Sequence, residues 1–143
     1  MTTIIEYMTG QHRCCDDDFA AAEAAVSEKN WGEAENQWGL FCNNLEVHLN
    51  NEEETLFPRF EQVTGSTGGP TAIMRLEHVQ MREMVASMTE ALQAKDCEEY
   101  LGLSETLMIL MQQHNMKEEQ MLYPMTQQAL PDSAAVINSM NDL

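Results

Sequence analysis

The 143-residue chain predicts an all-α fold, an up-and-down four-helix bundle with a short C-terminal helical tail. Three observations predict it. Apolar residues recur in alternating steps of three and four along most of the chain, the period of one helix face. Short segments with capping or loop chemistry separate four such stretches. No stretch shows the alternating β-branched pattern of a strand.

The first helix carries the stripe Ile5, Met8, His12, Cys15, Phe19, Ala22, Val26. Asn30, with Glu33 three residues on, is a capping pair that opens the second helix. Its stripe is Trp38, Phe41, Leu45, His48, Glu52, Leu56. The stretch TGSTGGP, residues 64–70, reads as a loop, and Pro70 suits the first turn of the third helix. That helix presents Met74, His78, Met81, Val85, Met88 and Leu92. Asp96 with Glu99 repeats the capping pair before the fourth stripe, Leu103, Leu107, Leu110, His114, Glu118, Met121, Met125. Pro131, Asp132 and Ser133 begin a short apolar tail, read as one more helical piece. A chain of this length is expected to form a single domain, residues 1–143.

The composition excludes several partners. A formal net charge of −17, with only seven scattered basic residues, argues against nucleic acid and against anionic lipid. No apolar run approaches the ~20 residues of a membrane span, and the N-terminus, MTTIIEYMTGQHR, lacks the pattern of a secretory signal. Cys14, Cys15, Cys42 and Cys97 show no paired CxxC spacing and are expected to be reduced thiols in a cytoplasmic protein.

The chain repeats itself at an offset of 66 residues: HLNNEEETLFP (48–58) returns as HNMKEEQMLYP (114–124), and His12 returns as His78. Each half therefore holds a histidine followed, 36 positions on, by HxxxE. Helix positions four apart lie ~40° around and ~6 Å along the axis, so His48 and Glu52 leave one face, as do His114 and Glu118. A lone histidine on an apolar face is ordinarily a core residue, and a lone HxxxE arises readily in a Glu-rich chain. Here all four histidines lie on core faces in matched register, and two buried carboxylates would be costly without a compensating cation. The expected ligands are His12, His48, Glu52, His78, His114 and Glu118, arranged around two metal ions. Imidazole mixed with carboxylate suits iron or manganese, with zinc possible, and iron is favoured.

The order His…HxxxEExxLFP…EH…HxxxEExxLYP resembles the hemerythrin HHE cation-binding family from His12 to Pro124. The stretches GGPTAIMRLEH (68–78) and LMQQHNMKEEQMLYP (110–124) look like stand-alone bacterial members. The resemblance implies a hemerythrin-like bundle with a non-haem di-iron centre, oxo- or hydroxo-bridged when oxidised, with both glutamates bridging. Oxygen-carrying hemerythrins use five histidines, two of them spaced HxxxH on the third helix. Here the positions four away from His78 are Met74 and Arg82. That departure favours reactivity over stable oxygen carriage.

The function expected is binding of, or reaction with, O2, NO or peroxide, in sensing or in the oxidative and nitrosative stress response. The alternatives are an enzyme that consumes peroxide or NO, an iron donor in iron–sulfur cluster repair, and a metal store or structural metal site. Whether there is a protein partner stays open. Several residues carry two readings. Cys15 is expected to pack, and Asp16 to be solvated or bonded to a ligand. Glu53 and Glu119, ~100° around from the ligand glutamates, are expected at the surface or beside the site. Tyr123, which replaces Phe57 of the other half, is expected to pack rather than donate a hydrogen bond, and Tyr7 is a minor candidate oxygen ligand. The twelve methionines read as core filler.

Overall fold

The computed structural model describes residues 2–143, and the described residues contain helices and no strand. Helix α1 spans Ile4–Ser27, and the Thr3 hydroxyl caps it by accepting from the Glu6 amide at 3.0 Å. Helix α2 spans Trp31–Asn51 behind Asn30, and α4 and α5 span Pro70–Gln93 and Cys97–Lys117, α5 behind Asp96. Short helices α3 (Phe57–Thr64) and α6 (Tyr123–Ala129) continue α2 and α5 without a break in direction signalled by any loop, and α7 (Ser133–Asn138) forms the tail. Antiparallel α1 and α2 pair, as do α4 and α5; α1 also packs on α5, and α2 on α4. The structure is thus an up-and-down bundle whose diagonals are α1–α4 and α2–α5, with the tail lying against α1.

The internal repeat extends into the turns. Lys29 and Lys95, 66 residues apart, both end their helices at positive φ (57° and 55°). The flanking bonds match: Asn30 N donates to Ala25 O at 2.9 Å, and Asp96 N to Ala91 O at 2.9 Å. This is the six-to-one closure of a helix end, in a place where a side chain costs about 1–2 kcal/mol relative to glycine.

The two helices that carry the repeated motif, α2 and α5, each widen by one residue there. Glu52–Leu56 and Glu118–Leu122 are π-helical turns, closed by Phe57 N to Glu52 O and by Tyr123 N to Glu118 O. Pro58 and Pro124 explain the widening. A proline inside a helix has no N–H to give and crowds the carbonyl four residues back, and a π-turn relieves both. The extra residue advances the inward face by one. Leu122, Tyr123 and Thr126 are therefore buried, whereas Met121 and Met125, expected inside, are 61% and 43% exposed. The α-helical period missed this because it was carried through Pro124 unchanged.

The core is divided. At one end Phe19, Trp38, Phe41, Leu45, Met88, Tyr100 and Leu107 form an apolar cluster. At the other, Ile4, Met8, Leu56, Phe57, Phe60, Met74, Leu122 and Val136 form a second. A belt of buried polar side chains lies among them. All four cysteines are free thiols, and Cys15 packs in the first cluster as expected. No described helix is long and apolar enough to cross a membrane.

Candidate metal centre

Each of the four long helices brings one histidine to the belt: His12 on α1, His48 on α2, His78 on α4 and His114 on α5. Glu52 and Glu118, each at the first position of a π-turn, complete it. All six side chains are 0–3% exposed. Their donor atoms fall into two groups, His12, His48, Glu52, Glu118 and Glu52, His78, His114, Glu118, with the atoms of each group within 4.8 Å of one another. Both glutamates belong to both groups. The structure therefore brings all six sequence-predicted residues together.

The outer nitrogen of every imidazole is anchored. His12 Nδ1 lies 2.7 Å from Glu119 Oε2, His78 Nδ1 2.6 Å from Glu53 Oε2, and His114 Nδ1 2.8 Å from Glu77 Oε1. His48 Nδ1 lies 2.9 Å from Gln11 Oε1. Ionised carboxylates only accept. Gln11 turns its amide nitrogen to the Asn141 carbonyl (3.1 Å), which leaves its oxygen for His48. Hence each Nδ1 donates, and a neutral ring keeps its lone pair on Nε2, facing inward.

The inner face is then a set of acceptors confronting acceptors. His48 Nε2 and His78 Nε2 sit 3.5 and 3.1 Å from Glu52 Oε1, and His114 Nε2 sits 3.2 Å from Glu118 Oε1. His48, His78 and His114 Nε2, Glu52 Oε1 and Glu118 Oε2 are buried without a hydrogen-bond partner. Each such orphan costs about 1–3 kcal/mol. A cation placed between them removes the cost, and ~3 Å is the separation of neighbouring donors around an octahedral ion with bonds of ~2.1 Å.

Without a cation the cluster settles by sharing protons. Burial pulls the His12 pKa down, but Glu118 and Glu119, with Glu52, outweigh it and raise it to about 9. His114 follows: burial opposes, and Glu118, Glu52 and Glu77 bring it to about 9. His48 goes the other way, to about 3, because burial dominates and Glu52 compensates only in part. Burial works to raise the Glu118 carboxyl, but hydrogen bonding with Glu52, His114 and His12 holds it well below the ordinary range.

A model of the hemerythrin HHE cation-binding domain matches residues 3–126. The chain belongs to the hemerythrin HHE cation-binding family. Neither a curated protein nor a solved structure matches it. Membership accounts for the two HxxxE motifs and the bundle, and the geometry shows where this hemerythrin-family chain has its own features. Met74, four residues before His78, is buried in the apolar cluster, and Arg82, four after, turns outward to Glu46 and Glu53.

One expectation about a tyrosine is corrected, and a minor candidate is ruled out. Tyr7 points away from the belt and donates to Asp142 Oδ1 at 2.7 Å. Tyr123 does more than pack: its Oη lies 2.7 Å from Glu52 Oε2, 3.0 Å from Glu118 Oε1 and 3.0 Å from His12 Nε2. The π-turn rotates it inward, which an unbroken helix would not do. Asp16 is exposed, as expected, and Glu53 and Glu119 stand beside the site as histidine acceptors.

Sequence reasoning missed the part that Gln11, Glu77, Asn51 and the Asn141 backbone play at the site. Gln11 plus 66 is Glu77, so the residue before each first histidine anchors the histidine of the neighbouring HxxxE motif. Asn51 plus 66 is Lys117. In one half, Asn51 supports Gln11 (3.3 Å) and both bond the Asn141 backbone; in the other, Lys117 pairs with Glu77 at the surface. The two halves are alike in shape and different in charge.

Proposed function

We propose that this hemerythrin-family chain is a non-haem di-iron protein that binds or reacts with O2, NO or peroxide, acting in the cytoplasm in sensing or stress response. The observation that carries the reading is the pair of donor groups sharing Glu52 and Glu118. Two carboxylates common to two groups are what a bridged pair of metal ions requires. Mixed imidazole and carboxylate donors fit iron, with manganese or zinc as alternatives. Bound iron supplies redox change and exchangeable positions for a small ligand.

The chain's own residues do the rest. His12 and His48 face one group, His78 and His114 the other, and Glu53, Glu77, Gln11 and Glu119 fix each ring with its Nε2 inward. The apolar clusters keep water from the belt and strengthen its electrostatics. A largely apolar surface groove of about 140 Å³ is lined by Pro70, Ile73, Met74, Lys117, Met121, Leu122 and Met125, close in sequence to Glu118 and one turn from His78. With Met74 buried in the apolar cluster and Arg82 turned outward, neither position four from His78 supplies a fifth histidine, which favours reaction over stable carriage and keeps the enzyme reading in view.

The test is optical. Iron-loaded, reduced protein is mixed anaerobically with NO, O2 or peroxide and followed by stopped-flow spectroscopy. Saturable spectral change with one or more of them is expected; indifference to all three would leave a store or structural site.

A further inference from the structure

The internal repeat offers a comparison within one molecule. Phe57 and Tyr123 are equivalent, and each stacks on the equivalent histidine: Tyr123 on His12 with centroids 5.5 Å apart, Phe57 on His78 at 5.7 Å. The rings occupy matching places, and only one carries an oxygen. That oxygen is the inner atom of a tight set: His12 Nε2, Glu52 Oε2 and Glu118 Oε1 surround it at 2.7–3.0 Å, and His12 Nε2 is itself 3.0 Å from Glu118 Oε1. Neighbouring donors of an octahedral ion with bonds of ~2.1 Å are ~3.0 Å apart. The spacing of Tyr123 Oη from the first group is therefore that of one more donor, whereas an oxygen that merely hydrogen-bonded would need to satisfy only one of the three.

We infer that Tyr123 is a protein ligand to the metal held by His12 and His48, which makes the two metal positions unequal. The inference rests on the metal-binding reading above. Tyr123 would coordinate as the phenolate, its proton leaving by way of the Glu52 carboxylate that already accepts it at 2.7 Å, as protic ligands lose a proton on binding a Lewis acid. The position held by His78 and His114 has Phe57 in the matching place and gains no such donor, so exchange with an outside ligand falls to that position.

The experiment uses full-length protein stripped of metal, reconstituted with ferrous iron without oxygen, then oxidised in air. Iron is counted, and visible absorption and resonance Raman spectra are recorded for the natural protein, Tyr123→Phe and Phe57→Tyr. A phenolate-to-iron charge-transfer band with enhanced tyrosine ring modes is expected in the natural protein and is lost in Tyr123→Phe. Phe57→Tyr should add a second, similar contribution. Tyr7 and Tyr100 lie outside the belt, so Tyr7→Phe and Tyr100→Phe should leave the band in place, and their spectra keep the assignment secure if Tyr123→Phe fails to fold. Two irons bound with no phenolate signature, or a signature that survives in Tyr123→Phe, overturns the inference while leaving the di-iron reading intact. Failure of the natural protein to take up iron overturns both.

Discussion

Stripping the metal should make stability fall as pH rises above neutrality, while the loaded protein stays level. In the metal-free cluster His12 and His114 are raised from 6.5 to about 9 by the glutamates around them, against burial. A raised histidine pKa stabilises the fold fully below 6.5, and the contribution is lost as pH climbs through the folded value. At 1.36 kcal/mol per unit, each shift corresponds to about 3 kcal/mol. Both histidines lean on Glu118, so the two do not add, and a loss on the order of 3 kcal/mol for the pair is expected. His48, lowered to about 3, has the opposite sign: its contribution is present above 6.5 and disappears as pH falls towards 3. The metal-free protein should therefore be most stable near pH 6.5. Cys15 and Cys42, pushed up to about 12 and about 11 by burial, take effect only above their ordinary value of 9, so the interval from 6.5 to about 8.5 reports the histidines. The assay is urea unfolding by far-ultraviolet circular dichroism, with chelator and with metal, at steps across that interval. With metal bound, Nε2 holds the ion in place of a proton and the alkaline loss should vanish. Metal-free stability that stays flat or rises between pH 6.5 and 8.5 would refute the reasoning.

Glu52→Ala and Glu118→Ala should each reduce metal content at saturating metal, since each removes a donor from both groups. Glu53→Ala and Glu119→Ala remove no metal donor but the acceptors of His78 and His12, Glu53→Ala also freeing Arg82, so affinity should weaken about 10- to 100-fold with full occupancy recovered at high metal; isothermal titration separates the two behaviours, and equal losses in all four variants would contradict the assignment of faces. Acid should release the metal, because protons compete for imidazole below ~6.5 and then for carboxylate. Dialysis to equilibrium at stepped pH measures it, and full retention at pH 4 would count against a proton-coupled site.

The bundle and the six convergent side chains were legible because both rest on local periodicity. A step of four places His48 and Glu52 on one face whatever surrounds them, and capping by Asn30 and Asp96 needs only neighbours in the chain. The inward turn of Tyr123 and the exposure of Met121 and Met125 were not, because they depend on a one-residue widening that changes the period from within. Pro124 was its signal: six residues after Glu118, it cannot continue an ordinary helix. The anchoring of His48 by Gln11, and of Gln11 by Asn141, joins residues 130 apart and leaves no periodic trace. Glu53 and Glu119 were placed correctly around the helix axis, but the bonds they make across to His78 and His12 depend on which helices become neighbours.

The central claim is that two metal ions share Glu52 and Glu118, and a metal count tests it most directly. Protein produced with iron available is purified without chelator, its concentration fixed by amino-acid analysis and its metals by plasma mass spectrometry. The account predicts two metal atoms per chain, predominantly iron, falling together when Glu52 or Glu118 is replaced by alanine. A reproducible single atom per chain, or none, would contradict it.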